Sequence, residues 1–501
     1  MLQPLLPRLQ QLHITVAVCV QFEELFVLAE WLKQHLCTVS SLKVEMFEDF
    51  DISVYNNNPI NPAHVMADGL CAVVAAVQES AAAAAAAAPG QAAASHTADA
   101  VLQHVGLQLQ SVSLCMMPTG NETADDWPVN LMRALPASSV THLECPHMWC
   151  NPAQVSALCR LTALQSCVLL EPWLVVDLDE DEATVLAQLS ALQQLTSLAL
   201  DATRRQLQHL PQLPQLQVLQ VRIQGHPSRQ PLQLGHLTSL VRLVVADVRG
   251  PLLAADQLPP NLRQLAWIQE RRGWDTLGGN VKRSHSLQPL LALELLEELH
   301  LQMPGAANAA AELSQLSSIS SLQELRLDCS VCPGSGFDSS AALAWSKLPL
   351  KSLRVSIDEV TAGFVQQRTV FKHLTSLSLT HELGTTYERK TFSSAVTSLQ
   401  LAAVLTQLPG LQVLALDLRR SGMNAGSSSS EGVSTKCATS SGCVEGGAAL
   451  VEAIGGLQQL GIVQVRLPVE LDAAAVQQLS SMPSSLAARC NVKTDLLSIV
   501  T

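Results

Sequence analysis

Leucines recur along this chain at fixed short offsets. In Gln194-Leu-Thr-Ser-Leu-Ala-Leu-Asp201 they stand at 195, 198 and 200, an L-x-x-L-x-L spacing that returns in Leu322-Gln-Glu-Leu-Arg-Leu327. Related wording appears in His236-Leu-Thr-Ser-Leu-Val-Arg-Leu-Val-Val245, in His373-Leu-Thr-Ser-Leu-Ser-Leu379, and in the pair Leu216-Gln-Val-Leu219 and Leu411-Gln-Val-Leu414. Weaker copies begin at Leu9, Val39, Leu109, Val140, Leu164, Leu262, Leu296, Leu350 and Leu460. The last two leucines of each copy are two residues apart. On a β-strand they point to one side and their neighbours to the other. Each copy therefore predicts a short strand with one buried and one open face.

The middle leucines fall at 198, 219, 243, 265, 299, 325, 353, 377 and 414, in steps of 21, 24, 22, 34, 26, 28, 24 and 37 residues. One such unit cannot bury its own leucines, whereas stacked units share a continuous aliphatic column. The chain must return between strands. Helical returns are expected at 181–195, 308–321, 392–405 and 447–457, and Asn151-Pro152 supplies a cap and a first-position proline for a helix over 154–161. Leu210-Pro-Gln-Leu-Pro214 holds too much proline for a helix and predicts an extended or 3₁₀ return.

In these copies the chain resembles the leucine-rich-repeat superfamily, particularly its irregular green-algal members, over residues from about 9 to 467 and most clearly over 158–416. The resemblance implies an α/β solenoid, a horseshoe with a parallel inner sheet and a convex side of helix, 3₁₀ turn and loop. One feature departs from the family. The position three beyond the last leucine, which there holds Asn or Cys, holds Thr203, Gln224, Val248, Glu270, Pro304, Ser330, Asp358, Glu382 and Arg419. An irregular curve is the expected consequence.

Three stretches interrupt the rhythm. Residues 56–99 carry Asn56-Asn-Asn-Pro59 and the alanine tract 81–88, which predicts a mobile insert without an amphipathic face to dock. Residues 270–285 form a basic loop with Trp274, and 419–447 are rich in serine and glycine. The organisation read from these breaks is N-terminal irregular repeats over 1–55, the insert, a main solenoid over 100–418, the Ser/Gly loop, and a C-terminal repeat and cap over 448–501.

Composition narrows the function classes. Hydrophobic residues make up 48% of the 501 and charged residues 15%, and the formal net charge is −13 with 3% aromatics. The charge and scarce aromatics exclude a general nucleic-acid binder, and the core is expected to be aliphatic. No stretch reads as a membrane span, because the Gly69–Ala98 region is mostly alanine. The thirteen scattered cysteines, many of them among leucines as Cys167 is, predict reduced buried thiols and a cytoplasmic protein.

Candidate chemistry is thin. Asp177-Leu-Asp-Glu-Asp-Glu182 opens like a calcium loop but has Glu182 where the turn needs glycine and Gln188 where a bidentate glutamate belongs. It reads better as an acidic helix start. Cys145, His147, Cys150 and Cys159 have zinc-compatible spacing, yet Cys145 occupies an inward leucine position. Cys329-Ser-Val-Cys332 lacks a second pair, and His381-Glu-Leu-Gly-Thr385 lacks the second histidine of a zincin helix. The sequence has no phosphate-binding or nucleophile-elbow motif, so no catalytic residue, metal or cofactor is assigned.

That leaves the open face of the predicted sheet. Arg222, Arg242, Glu298, His300, Gln302, Glu324, Arg326, Asp328, Arg354 and Ser356 flank the strand leucines and predict one contiguous mixed-charge patch, while Ser197, Ala199, Ala266, Ser376, Ser378 and Ala415 leave the rest of the face bland. The expectation is a non-enzymatic scaffold receiving a partner protein there. The resemblance also suggests a substrate receptor of an F-box ubiquitin ligase, although a repeat beginning at Leu9 leaves no room for the F-box, or a structural component of the cilium or cytoskeleton.

Overall fold

The structure, a computed structural model, describes residues 10–16, 23–34, 39–46, 62–86, 109–115, 127–145, 152–170, 185–224, 232–247, 258–268, 287–302, 313–328, 340–355, 371–380, 398–417, 452–457, 459–460 and 462–466. The chain divides into two compact units. The first is Met1–Ala246 with Gln257–Asn261, and the second is Asp247–Asp256 with Leu262–Thr501. The division falls inside the stretch read from sequence as one main solenoid.

The first unit carries β1 (Gln11–Val16), β2 (Ser41–Met46), β3 (Ser111–Cys115), β4 (His142–Glu144), β5 (Ser166–Leu169), β6 (Ser197–Thr203), β7 (Val218–Gln224) and, its last residue aside, β8 (Arg242–Asp247). The strands from β1 to β7 pair in parallel, each with the next in sequence. Their register places Leu12, Leu42, Val112, Leu143, Cys167, Leu198 and Leu219 in one row. The second unit repeats the design with β9 (Gln264–Ile268), β10 (Glu298–Gln302), β11 (Glu324–Leu327), β12 (Ser352–Val355), β13 (Ser376–Thr380), β14 (Val413–Asp417) and β15 (Ile462–Arg466). Its row is Leu265, Leu299, Leu325, Leu353, Leu377, Leu414 and Val463, again in parallel register. Every copy of the leucine pattern read from sequence lies at a strand. In β2 to β14 the second leucine position is buried because the strand alternates and the neighbouring coil covers it, while Leu12 of β1 is partly buried.

The main chain ties coil to coil just ahead of each strand. The carbonyl oxygen of Gln165 accepts the N–H groups of both Thr196 and Ser197, and that of Thr196 accepts those of Gln217 and Val218. The same double acceptance recurs at Arg263, Glu297, Gln323, Lys351 and Thr375. Hydroxyls reinforce it, since Ser40, Thr141, Thr196 and Thr375 each donate to the same carbonyl as their own N–H. At the other end of the strand Thr203, three residues past the last strand leucine, accepts from the N–H of Gln206 at 3.1 Å. The Gln206 side chain in turn accepts the Thr203 N–H at 2.9 Å, completing a capping box.

The returns follow the sequence in part. A helix spans Pro152–Leu158 with proline at its first position, and Leu210–Pro214 is not helical. The return expected to be helical over 181–195 is 3₁₀ at Val185–Ala191, and that over 308–321 ends in a 3₁₀ turn at Leu316–Ser318. A helix at Ser398–Leu405 and a helical turn over 452–455 occupy the other two. The core is mainly aliphatic, but its two largest fully buried side chains are Trp267 and Trp345. Trp267 takes a leucine place in register with Leu301, and the Trp345 indole donates to the Leu313 carbonyl at 2.7 Å.

Residues 62–86, inside the stretch expected to be a mobile insert, instead form a docked helix. Helix α2 (Pro62–Ala86) packs on α1 (Glu23–Gln34), burying Leu70, Val73, Val74, Val77 and Ala81. These residues are spaced as one helical stripe, while Asp68, Ala75, Glu79 and Ala82 are exposed. The stripe begins upstream of the alanine tract, which explains why the tract alone shows no face. Small residues let the backbones approach, so that a Cβ on Gly69 would stand 2.8 Å from the Leu25 Cβ. Ser80 donates to the Leu32 carbonyl at 3.2 Å, and Gln78 to that of Ala134 at the end of the Trp127–Ala134 helix at 3.0 Å.

Candidate functional site

Between the strand leucines of the second unit, the open face carries two short charged rows. Register puts Gln264, Glu298, Glu324, Ser352 and Ser376 in one row, and Ala266, His300, Arg326, Arg354 and Ser378 in the next. Neighbouring strands lie about 4.8 Å apart, so His300, Arg326 and Arg354 form an unbroken cationic-capable line over three strands.

Asp328, just past the end of β11, gathers that line. The His300 Nε2 lies 2.9 Å from its Oδ2, the Arg326 Nε donates to the same oxygen at 2.5 Å, and the Arg354 Nε stands 3.8 Å from Oδ1. The carboxylate is only 16% exposed, whereas the side chains of Arg326 and Arg354 are 42% and 45% exposed. Burial pushes the Asp328 carboxyl up, but hydrogen bonds from His300 and Arg326, helped by the Arg326 charge, outweigh it and hold the group below its usual range. Asp328 therefore stays an anion near neutrality, fixes the Arg326 guanidinium from beneath and attracts that of Arg354 at longer range. Among the described residues the Nη groups of Arg326 and Arg354 have no partner.

The other sequence candidates are placed as follows. Glu298 accepts from the Gln264 side chain at 2.8 Å, Glu324 is exposed beside it, and Gln302 ends β10 half-buried. Ser356 lies outside the described residues. Arg222 and Arg242 belong to the first unit. Arg222 is 9% exposed and grips Asp201 through Nε at 2.9 Å and Nη2 at 2.5 Å, a bidentate pair across β6 and β7 that leaves it little to offer a ligand. Within the second unit the open-face residue between the strand leucines of β9 is Ala266, and the described charged residues cluster on β10 to β12.

Sequence reading passed over Asp201, and also a second carboxylate hub. Glu45 stands 3.0 Å from His13 Nε2 and 2.5 Å from Lys43 Nζ, with His13 and Lys43 opposite each other on β1 and β2. The signal was present: a carboxylate two residues beyond a charged open-face position, or in register with one on the next coil.

Of the zinc-spaced set, Cys145 and Cys159 are described. Cys145 is buried at its inward leucine position, and the Cys159 thiol donates to the Gln188 carbonyl at 3.1 Å, with burial pushing it up to about 11. Cys150, His147, the acidic run 177–182, Cys329, Cys332, His381, the basic loop 270–285 and the Ser/Gly stretch 419–447 lie outside the described residues. Among the described residues no helix is long and apolar enough to cross a membrane, and no group of three or more His, Cys, Asp or Glu is arranged to hold a metal.

Parallel strands in sequence order, one aliphatic row per leucine position and short returns define the fold as a leucine-rich-repeat solenoid, here with a charged cluster on its open face. No family model and no curated protein matches the chain. Among solved structures, an internalin from Listeria monocytogenes is similar at 16% identity, covering 65% of this chain and 81% of that one with a TM-score of 0.33.

Proposed function

We propose that this protein is a non-enzymatic scaffold that receives a partner protein on the open face of β10 to β12. The observation that carries the reading is the cluster around Asp328: a mostly buried carboxylate that pins the Arg326 guanidinium by a hydrogen bond and faces the Arg354 Nε at 3.8 Å, with both arginine side chains nearly half exposed. A face kept polar for solubility alone needs no such arrangement, because solitary exposed lysines or serines suffice. Arginine in a pinned geometry is a strong interface anchor. Short side chains at Ser352, Ser376, Ser378 and Ala415 leave room beside the cluster for an incoming surface. The buried thiols of Cys145 and Cys167 fit a reduced, cytoplasmic setting.

The test is capture from a cell extract with a photo-crosslinking amino acid replacing Ser378. Arg326→Glu with Arg354→Glu is expected to abolish crosslinked partner while leaving far-UV circular dichroism unchanged, since both side chains point away from the core. Undiminished crosslinking by that folded variant removes the cluster from the interface.

A further inference from the structure

We infer that the paired outer edges of Arg326 and Arg354 bind a short acidic segment of a polypeptide, one carboxylate side chain to each guanidinium, a step that rests on the scaffold reading above. Three observations converge. The two arginines are in direct register on adjacent strands, so two like charges stand side by side, and the one anion the described residues set against them, Asp328, approaches only their Nε side. Asp328 answers only the inner edges, engaging Nε of Arg326 and, at longer range, Nε of Arg354. The four Nη nitrogens have no partner among the described residues, and each side chain is nearly half exposed. The Arg326 guanidinium, already held at Nε, presents its remaining N–H groups in a fixed fork, the geometry that suits a carboxylate, and less rotamer entropy is lost there when the ligand arrives.

The surroundings restrict what kind of anion fits. Glu298 and Glu324 form a like-charged pair of their own in the adjacent row, two residues back along the same strands, so negative charge is welcome at the arginines and repelled just beside them. A uniform polyanion such as nucleic acid or a sulfated polysaccharide would lie across both rows. A peptide with a compact acidic cluster flanked by neutral or basic residues meets the arginines and leaves the glutamates to solvent or to its own cations. Ser378, in register beyond Arg354, continues the cationic row with a small hydroxyl and no charge.

The experiment uses the full chain and a fluorescent peptide in which a short run of glutamates is flanked by glycine and serine, followed by anisotropy at low salt, about 50 mM, where surface charges are weakly screened. Binding is expected for this peptide and not for its glutamine counterpart. Affinity is expected to fall about tenfold or more in Arg326→Gln with Arg354→Gln, and likewise in Ser378→Glu, which sets a carboxylate beside Arg354 without touching either arginine. Arg326→Lys with Arg354→Lys keeps the charge but removes the fork, and an intermediate loss is expected. Circular dichroism matching the parent qualifies each variant as folded. Unchanged affinity in the glutamine or glutamate variants overturns the inference, as does parental affinity in the lysine variant, or heparin binding as tightly as the peptide. Partner crosslinking that persists while the acidic peptide fails to bind retains the scaffold and discards the acidic ligand. Loss of both discards both.

Discussion

Both oxygens of Asp328 face basic side chains, Oδ2 meeting His300 and Arg326 and Oδ1 the more distant Arg354. Its carboxyl is held below the ordinary range in the folded chain, so the stabilisation it contributes is complete above the unfolded-state value near 4 and is lost as pH falls through the folded one. Asp328→Asn is expected to cost about 1 kcal/mol at pH 7, a modest figure because the guanidinium partners are half exposed and solvent-screened. Urea denaturation should show that deficit unchanged above the unfolded-state value and shrinking only as pH falls below it, where the parent carboxyl becomes protonated too. A deficit that persists at low pH would mean the cluster acts by packing and not by charge. Residue identity alone does not settle role elsewhere either. Leu-Thr-Ser-Leu at 195–198 and 374–377 leads into β6 and β13, yet the same four residues at 237–240 form the turn before β8, one leucine step earlier. Which of several leucines enters the sheet is decided by the next two, at Leu243 and Val245, which are buried.

At the scale of elements, the α1–α2 pair shows how a poor sequence signal becomes a well-packed contact. Alanine is the best helix former, and a helix rich in it presents a smooth surface that a neighbour can approach closely. Closest approach is at Gly69, where an added Cβ would stand 2.8 Å from the Leu25 Cβ and 2.9 Å from its Cδ1. Alanine at this helical position would ordinarily stabilise by about 1 kcal/mol through backbone entropy. Here overpacking of about 1–3 kcal/mol opposes it, because the nearest atom is a Cβ fixed to the α1 backbone. Gly69→Ala is therefore expected to lower the thermal midpoint, measured by circular dichroism at 222 nm, and to lower it less in a Leu25→Gly background, where the opposing Cβ is gone. A raised midpoint in the single variant would show that the helices part freely.

For the whole molecule, stability is the sum of coils and their neighbour contacts, since each strand pairs with those beside it in sequence and each leucine row is shared locally. Leu198→Ala, in the buried row between Cys167 and Leu219, is expected to cost about 2–5 kcal/mol. In hydrogen exchange, protection should fall most in β5 to β7 and little in β13 and β14, which belong to the other unit. Equal loss of protection throughout would instead indicate one cooperative block.

Strand positions were readable from residue order alone, because a period of two between buried leucines is local and each copy repeats it; every copy lies at a strand. The helical returns were less legible. Length alone does not decide whether a return closes as α-helix or 3₁₀, since the shorter return before β5 is helical at Pro152–Leu158 and the longer one before β6 is 3₁₀ at Val185–Ala191, and the alanine-rich helix became meaningful only against α1, whose apolar face covers its stripe. The charged cluster was half visible. His300, Arg326, Asp328 and Arg354 were named from their places beside leucines, but sequence spacing cannot tell that Arg222 is consumed by Asp201 or that the arginine edges face outward. Periodicity dictates which side of a strand a residue occupies; partners across coils are set by register, which only the stacked chain establishes.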